Sequence, residues 1–175
     1  LHFKMRFYKL IIFIFLLLGL DSIAQPGIGS AKALIKIEFE DVYGLNINHP
    51  EVNLDINTIE KFTQGTQTNW LNSHLVITGI KSFEISIKTI QSNFVSNNLE
   101  TNVAVSNINV NARINSKTNS IYLSDASQIL IRENSGSMIN YIDVNYKIPP
   151  ENTFAFINSP TNTFETLIVY TLIPN

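Results

Sequence analysis

Four stretches of this chain alternate apolar and polar residues with a period of two, and no other feature narrows the fold as much. Ala33, Ile35, Ile37 and Phe39 fall on one face of their stretch, with Lys36, Glu38 and Glu40 on the other. Val52, Leu54 and Ile56 oppose Asn53, Asp55 and Asn57. Phe83, Ile85 and Ile87 oppose Glu84, Ser86 and Lys88. Ile108, Val110, Ala112 and Ile114 oppose Asn107, Asn109, Asn111 and Arg113. Successive side chains change face along a strand, whereas a helix repeats every 3.6 residues, so each stretch predicts a half-buried strand.

Further strands are expected from shorter or doubly apolar runs at 74–78, 121–123, 128–132, 139–146 and 167–173, all rich in the β-branched and aromatic residues that pleated surfaces prefer. Turn-forming residues punctuate them at Asn48-His49-Pro50, Gly79, Asn97-Asn98, 116–119, 134–136 and 158–160. Strands at this spacing, with no window of convincing helical period, predict an all-β fold: an antiparallel β-sandwich of the immunoglobulin-like or pilin-like kind. The best helical segment, Ile59-Glu60-Lys61-Phe62, predicts one turn inside a loop.

The N-terminal region reads differently. Met5-Arg6-Phe7-Tyr8-Lys9 is followed by the apolar run Leu10 to Leu20 and then by Ser22 and Ala24 before Gln25. A basic start, an apolar stretch and small residues at −3 and −1 are the three parts of a secretory signal peptide. The apolar run of about 11 residues is well short of the roughly 20 that span a bilayer. Residues 1–24 are therefore expected to be a signal peptide with upstream residues, and 25–175 one β-sandwich domain without a linker or a fixed-period repeat. The product is expected to be exported, to the periplasm, the cell surface or the medium.

With no cysteine, the domain has neither a disulfide nor a thiol for lipidation, so no membrane anchor is expected after cleavage. A formal net charge of −2, with 15% charged residues, offers no basic field for nucleic acid. No Asn-x-Ser/Thr acceptor site occurs despite the many asparagines.

Candidate chemistry is sparse. His49 and His74 lack the i,i+2 or i,i+4 partner that a zinc site uses, which predicts structural or surface roles for both. Glu38, Glu40 and Asp41 carry no calcium-loop motif and fit a solvated strand face. Gly27-Ile28-Gly29 is too brief for a phosphate loop, and no Gly-x-Ser-x-Gly elbow is present. No enzymatic activity, metal or cofactor is expected. The lone Trp70, between Asn69 and Asn72, has two readings: a sugar-stacking platform, or a cap on one end of the core, which is the commoner role for an unaccompanied aromatic. The row Asn107, Asn109 and Asn111 is either an amide ladder for a carbohydrate or a neighbouring sheet, or an ordinary solvated face.

The order of several stretches resembles that of small secreted β-sandwich proteins of Bacteroidetes-type bacteria: 49–54 leading to Phe62-Thr63-Gln64-Gly65, then 73–77, 83–87, 141–146 and 169–173. It is loosely similar also to fimbrial and spore-coat-U surface subunits, which end in a Tyr-containing strand, although the cysteine pair of many such pilins and a Leu-x-Phe-Gly motif are absent. The resemblance implies a fold and a location rather than an activity.

Two functions follow as expectations. One is a non-catalytic structural or surface protein, a fimbria-like subunit or adhesin component. Its partners would be copies of itself or other surface proteins, and the segment bearing Ala33, Ile35, Ile37 and Phe39 would be a strand for exchange. The other is a glycan- or protein-binding module using Trp70, Asn69 and Asn72.

Overall fold

The alternation seen in the sequence becomes two facing antiparallel sheets. The computed structural model describes Lys36 and residues 43–79, 81–134, 137–157 and 163–175; the unit Phe39–Asn175 is the sandwich. The segment 33–39 as a whole, the signal-peptide residues, and Glu38, Glu40 and Asp41 lie outside the described residues, apart from Lys36.

The larger sheet has the order β1 (Gly44–Ile47), β3 (Leu71–Thr78), β10 (Ile139–Ile148), β7 (Asn109–Ile114) and β8 (Lys117–Tyr122), with β2 (Thr66–Gln67) also pairing with β10. The smaller has β11 (Ile168–Pro174), β4 (Phe83–Thr89) and β9 (Gln128–Glu133). A hairpin of β5 (Asn93–Ser96) and β6 (Leu99–Ala104) stands apart from both. It turns on Asn97 and Asn98, whose φ values of 50° and 64° place both in the left-handed region that a type I′ turn needs and asparagine tolerates.

Leu75, Ile77, Ile142, Val144, Val110, Ala112 and Ile114 of the larger sheet meet Phe83, Ile85, Ile87 and Leu130 of the smaller in a core almost closed to solvent. Burying one such aliphatic or aromatic side chain is worth about 1.5–3 kcal/mol. Without disulfides, this packing holds the sandwich together.

The inner faces are also joined by a polar chain. The Tyr146 hydroxyl lies 3.1 Å from Nε2 of His74 and bonds the Tyr170 hydroxyl, so β3 and β10 are tied to β11 of the opposite sheet. Burial, and secondarily His49 stacked 5.8 Å away, push the His74 pKa down from 6.5 to about 4. Burial likewise raises Tyr146 to about 12 and Tyr170 well above its ordinary value. At neutral pH a neutral imidazole accepts at Nε2 from Tyr146, which accepts in turn from Tyr170, while Nδ1 of His74 is buried without a hydrogen-bond partner. The structural role expected for His74 is thus a buried one.

One side of the sandwich is closed by side chains from β8 to β9. Asn119 Nδ2 donates to the Leu130 carbonyl at 2.9 Å, Gln128 Nε2 donates to the Tyr122 carbonyl at 2.9 Å, and Lys117 pairs with the buried Glu133 at 2.9 Å. These contacts occupy edge groups that would otherwise be open to another strand.

Two helical turns seal one end. α1 (Ile59–Gln64) is capped by Thr58, whose hydroxyl accepts from the Lys61 N–H at 3.1 Å. It meets α2 (Thr153–Ile157) through the edge-on rings of Phe62 and Phe154. Gly65 then carries the chain past β10 with φ of +79°. A Cβ there would sit 2.4 Å from the Ile148 carbonyl oxygen, so only glycine lets β2 reach its partner strand.

Two expectations need correction. Residues 51–57 keep the expected alternation of burial, with Val52, Leu54 and Ile56 against the core, yet the segment pairs with no described strand. An extended chain alternates its side chains whether or not a ladder forms, so the pattern reports facing and not pairing. The turn expected at 116–119 is shorter: Asn115, at φ 52°, makes the bend, and Lys117 to Asn119 already belong to β8. No helix among the described residues is long and apolar enough to cross a membrane.

The buried imidazole has a consequence for acid stability. A group whose folded pKa lies below its unfolded value stabilises the fold fully above the unfolded pKa and progressively less as pH falls toward the folded one. Urea unfolding should show stability falling by about 2 kcal/mol between pH 7 and pH 5, a window above most carboxylate titration. A flat profile across that window contradicts the neutral, buried assignment of His74.

Candidate functional site

The outer face of the larger sheet is built by two neighbouring strands in register. On β10, Val144, Tyr146 and Ile148 point into the core, so Asp143, Asn145 and Lys147 face outward. On β7, Val110, Ala112 and Ile114 point inward, so Asn109, Asn111 and Arg113 face outward. The pairing sets Asp143 opposite Arg113, Asn145 opposite Asn111 and Lys147 opposite Asn109, giving three cross-strand rows.

On the other side of β10 the ladder is interrupted. Gln67 pairs with Lys147 and Leu71 with Val144, while Thr68, Asn69 and Trp70 leave the strand between them. Thr68 stays anchored: its N–H donates to the Tyr146 carbonyl at 2.9 Å and its hydroxyl accepts from the Tyr146 N–H at 3.1 Å. Asn69 and Trp70 are therefore presented beside the three rows. Together they define an open groove of about 350 Å³, lined by Gln67, Thr68, Asn69 and Trp70 on one wall and by Asn109, Asn111, Asn145 and Lys147 along the floor and the opposite wall.

The floor is hydrogen-bonded and ordered. Asn111 Nδ2 donates to Asn145 Oδ1 at 3.1 Å, Asn145 Nδ2 donates to the Thr68 carbonyl, and Asn109 Nδ2 reaches Ser120 Oγ at 3.0 Å and the Ile121 carbonyl at 3.1 Å. Trp70 is held at one end. The Arg113 guanidinium lies over its ring, 4.3 Å from the centroid, and Arg113 Nε donates to Asp143 Oδ2 at 2.9 Å. Asp143 Oδ1 in turn accepts the Ser73 N–H at 2.7 Å. Ser73, at φ 52°, sits where the β3–β10 register shifts, so the same carboxylate satisfies the displaced backbone and fixes the arginine on the tryptophan.

Trp70 thus does not cap the core. It is partly exposed on the outer face, and the core is closed without it. Of the residues singled out in the sequence, Asn69 and Trp70 line the groove together with Asn109 and Asn111. Asn72 is exposed on β3 outside it, and Asn107 turns away, its amide donating to the Ala104 carbonyl at 2.9 Å. The strand-exchange residues Ala33, Ile35, Ile37 and Phe39 lie outside the described residues. Sequence reading missed Gln67, Thr68, Asn145, Lys147 and Arg113 as site residues. For three of them the signal was present: Asn145 and Lys147 alternate with Val144, Tyr146 and Ile148, and Arg113 continues the asparagine row.

Chemically, the groove presents amides that both donate and accept, one flat aromatic and one ammonium, and no lining residue is a carboxylate. The side chains of Gln67, Asn69 and Lys147 make no hydrogen bond or ion pair among the described residues, and so remain available to a ligand. Among the described residues there is no group of three His, Cys, Asp or Glu that could hold a metal ion.

Fold and site together define an antiparallel β-sandwich with a polar, tryptophan-flanked groove on one sheet. No protein-family model and no curated protein matches this chain.

Trp70 is the only tryptophan, so its emission reads the Asp143–Arg113 support directly. Asp143→Asn should weaken the hold on Arg113 and the Ser73 N–H, shifting Trp70 emission to the red and lowering stability by about 1–2 kcal/mol. An unchanged spectrum would show that the ring is placed by other contacts.

Proposed function

We propose that this protein is an exported, non-catalytic glycan-binding module of the kind that serves as an adhesin component, and that the Trp70 groove is its ligand site. The observation that carries this reading is the convergence of the one tryptophan with the amides of Gln67, Asn69, Asn109 and Asn111 in a single preformed groove. A pyranose presents an apolar C–H face, which stacks on an aromatic ring, and a rim of hydroxyls, which pair with groups able both to donate and to accept. Ligand sites generally combine a few well-placed polar groups with an apolar surface in this way.

The lining also favours binding over hydrolysis. Glycoside cleavage uses two carboxyl groups facing each other across the scissile bond, and this groove contributes none. Asp143, on the same outward face of β10 as Asn145 and Lys147, is occupied by Arg113 and the Ser73 N–H. Export rests on the leader read at residues 5–24. The alternative of a self-assembling surface subunit depends on the strand at 33–39, which lies outside the described residues, so the groove supports the binding reading more directly.

A glycan array probed with the wild-type protein and with Trp70→Ala tests the proposal. Binding to a defined subset of glycans is expected, with affinity falling at least about tenfold in the variant. Equal binding by both proteins, or binding by neither, overturns it.

A further inference from the structure

We infer that the groove selects anionic glycans, with Lys147 as the residue that pairs with a carboxylate or sulfate on the sugar; this rests on the glycan-binding reading above. The starting point is how differently the cations of these sheets are treated. Arg113 is paired with Asp143, Lys117 with Glu133 and Arg132 with Glu84, each across adjacent strands or across the edge of the sandwich. Lys88 on β4 and Lys147 on β10 have no such partner among the described residues, and of the two only Lys147 lines the groove.

Its position suits recognition. Lys147 stands on β10 directly between Gln67 of β2 and Asn109 of β7 in the strand register, and all three line the groove. An anionic group bound there would meet one full positive charge, with the Gln67 amide beside it as a second donor. With no carboxylate in the lining, nothing in the groove repels an anion or competes for the ammonium.

The rest of the chain argues for a local effect. Formal net charge is −2, so the protein as a whole does not attract polyanions, and preference for an acidic ligand must arise within the groove itself. The two ends of the groove then have separate tasks. Trp70, one face of which is covered by the Arg113 guanidinium, offers its other face to a pyranose, and Lys147 distinguishes acidic sugars from neutral ones.

The test is calorimetric titration of the wild type, Lys147→Gln and Lys147→Arg with three probes: an oligogalacturonate, a sulfated galactan oligosaccharide and a neutral cello-oligosaccharide. Lys147→Gln conserves most of the side-chain bulk, and an unchanged urea midpoint confirms its fold. The expected result is that at least one anionic probe binds the wild type about tenfold more tightly than the neutral one, that Lys147→Gln removes that advantage, and that Lys147→Arg restores it. Which anionic probe carries the advantage distinguishes carboxylate from sulfate recognition. Neutral and anionic probes binding alike, or an advantage that survives Lys147→Gln, overturns the inference while leaving a glycan-binding groove in place. Failure of the wild type to bind any of the three probes, together with a blank glycan array, removes both.

Discussion

The register of β10 is the constraint on which the rest of the molecule depends. Its inward residues Val144, Tyr146 and Ile148 build the core, and Tyr146 carries the hydrogen bonds that cross to Tyr170 in the opposite sheet. Its outward residues Asp143, Asn145 and Lys147 supply the brace, the floor and the cation of the groove. Because side chains alternate with a period of two, a slip of one residue would bury Asp143, Asn145 and Lys147 and expose the core set. Burial of three polar groups without partners costs several kcal/mol, so the packing that stabilises the sandwich also fixes the geometry of the groove. Gly65 serves the same end by allowing β2 to dock against Ile148.

Preorganisation of the groove follows from how completely its polar groups are engaged. Asn145 is nearly buried, yet both ends of its amide are used, one by Asn111 and one by the Thr68 carbonyl. Asp143 serves a backbone N–H and a guanidinium at once. Satisfied networks of this sort are rigid, because any rearrangement leaves a donor or acceptor without a partner. The groups left unengaged are few, those on Gln67, Asn69 and Lys147. Ordering entropy on binding would then fall on a few side chains and not on the backbone.

Much of the fold was legible because the core is two-sided and the alternation reports it. β4 and β7 match their alternating stretches closely, β9, β10 and β11 differ from their runs by a few residues, and the turn of helix at Ile59 is present. β1, β2, β5 and β6 were not legible: they are short, and in β6 the polar Thr101 and Asn102 break the pattern. For the site, Trp70, Asn69 and the asparagine row were visible one by one, but their meeting was not. It requires β10 to lie between β3 and β7, a strand order that no local pattern encodes. Arg113 escaped notice because its importance comes from Asp143, thirty residues away in sequence and directly opposite across the ladder.

The central claim, that the outer face of the larger sheet is a ligand site organised around Trp70, is tested most directly by nuclear magnetic resonance. A titration of isotopically labelled protein with a glycan identified on the array should shift the Trp70 indole N–H and the side-chain amides of Gln67, Asn69, Asn109 and Asn111, while those of Asn72 and Asn107 stay in place. Shifts concentrated elsewhere, with the groove resonances unmoved, would contradict the account.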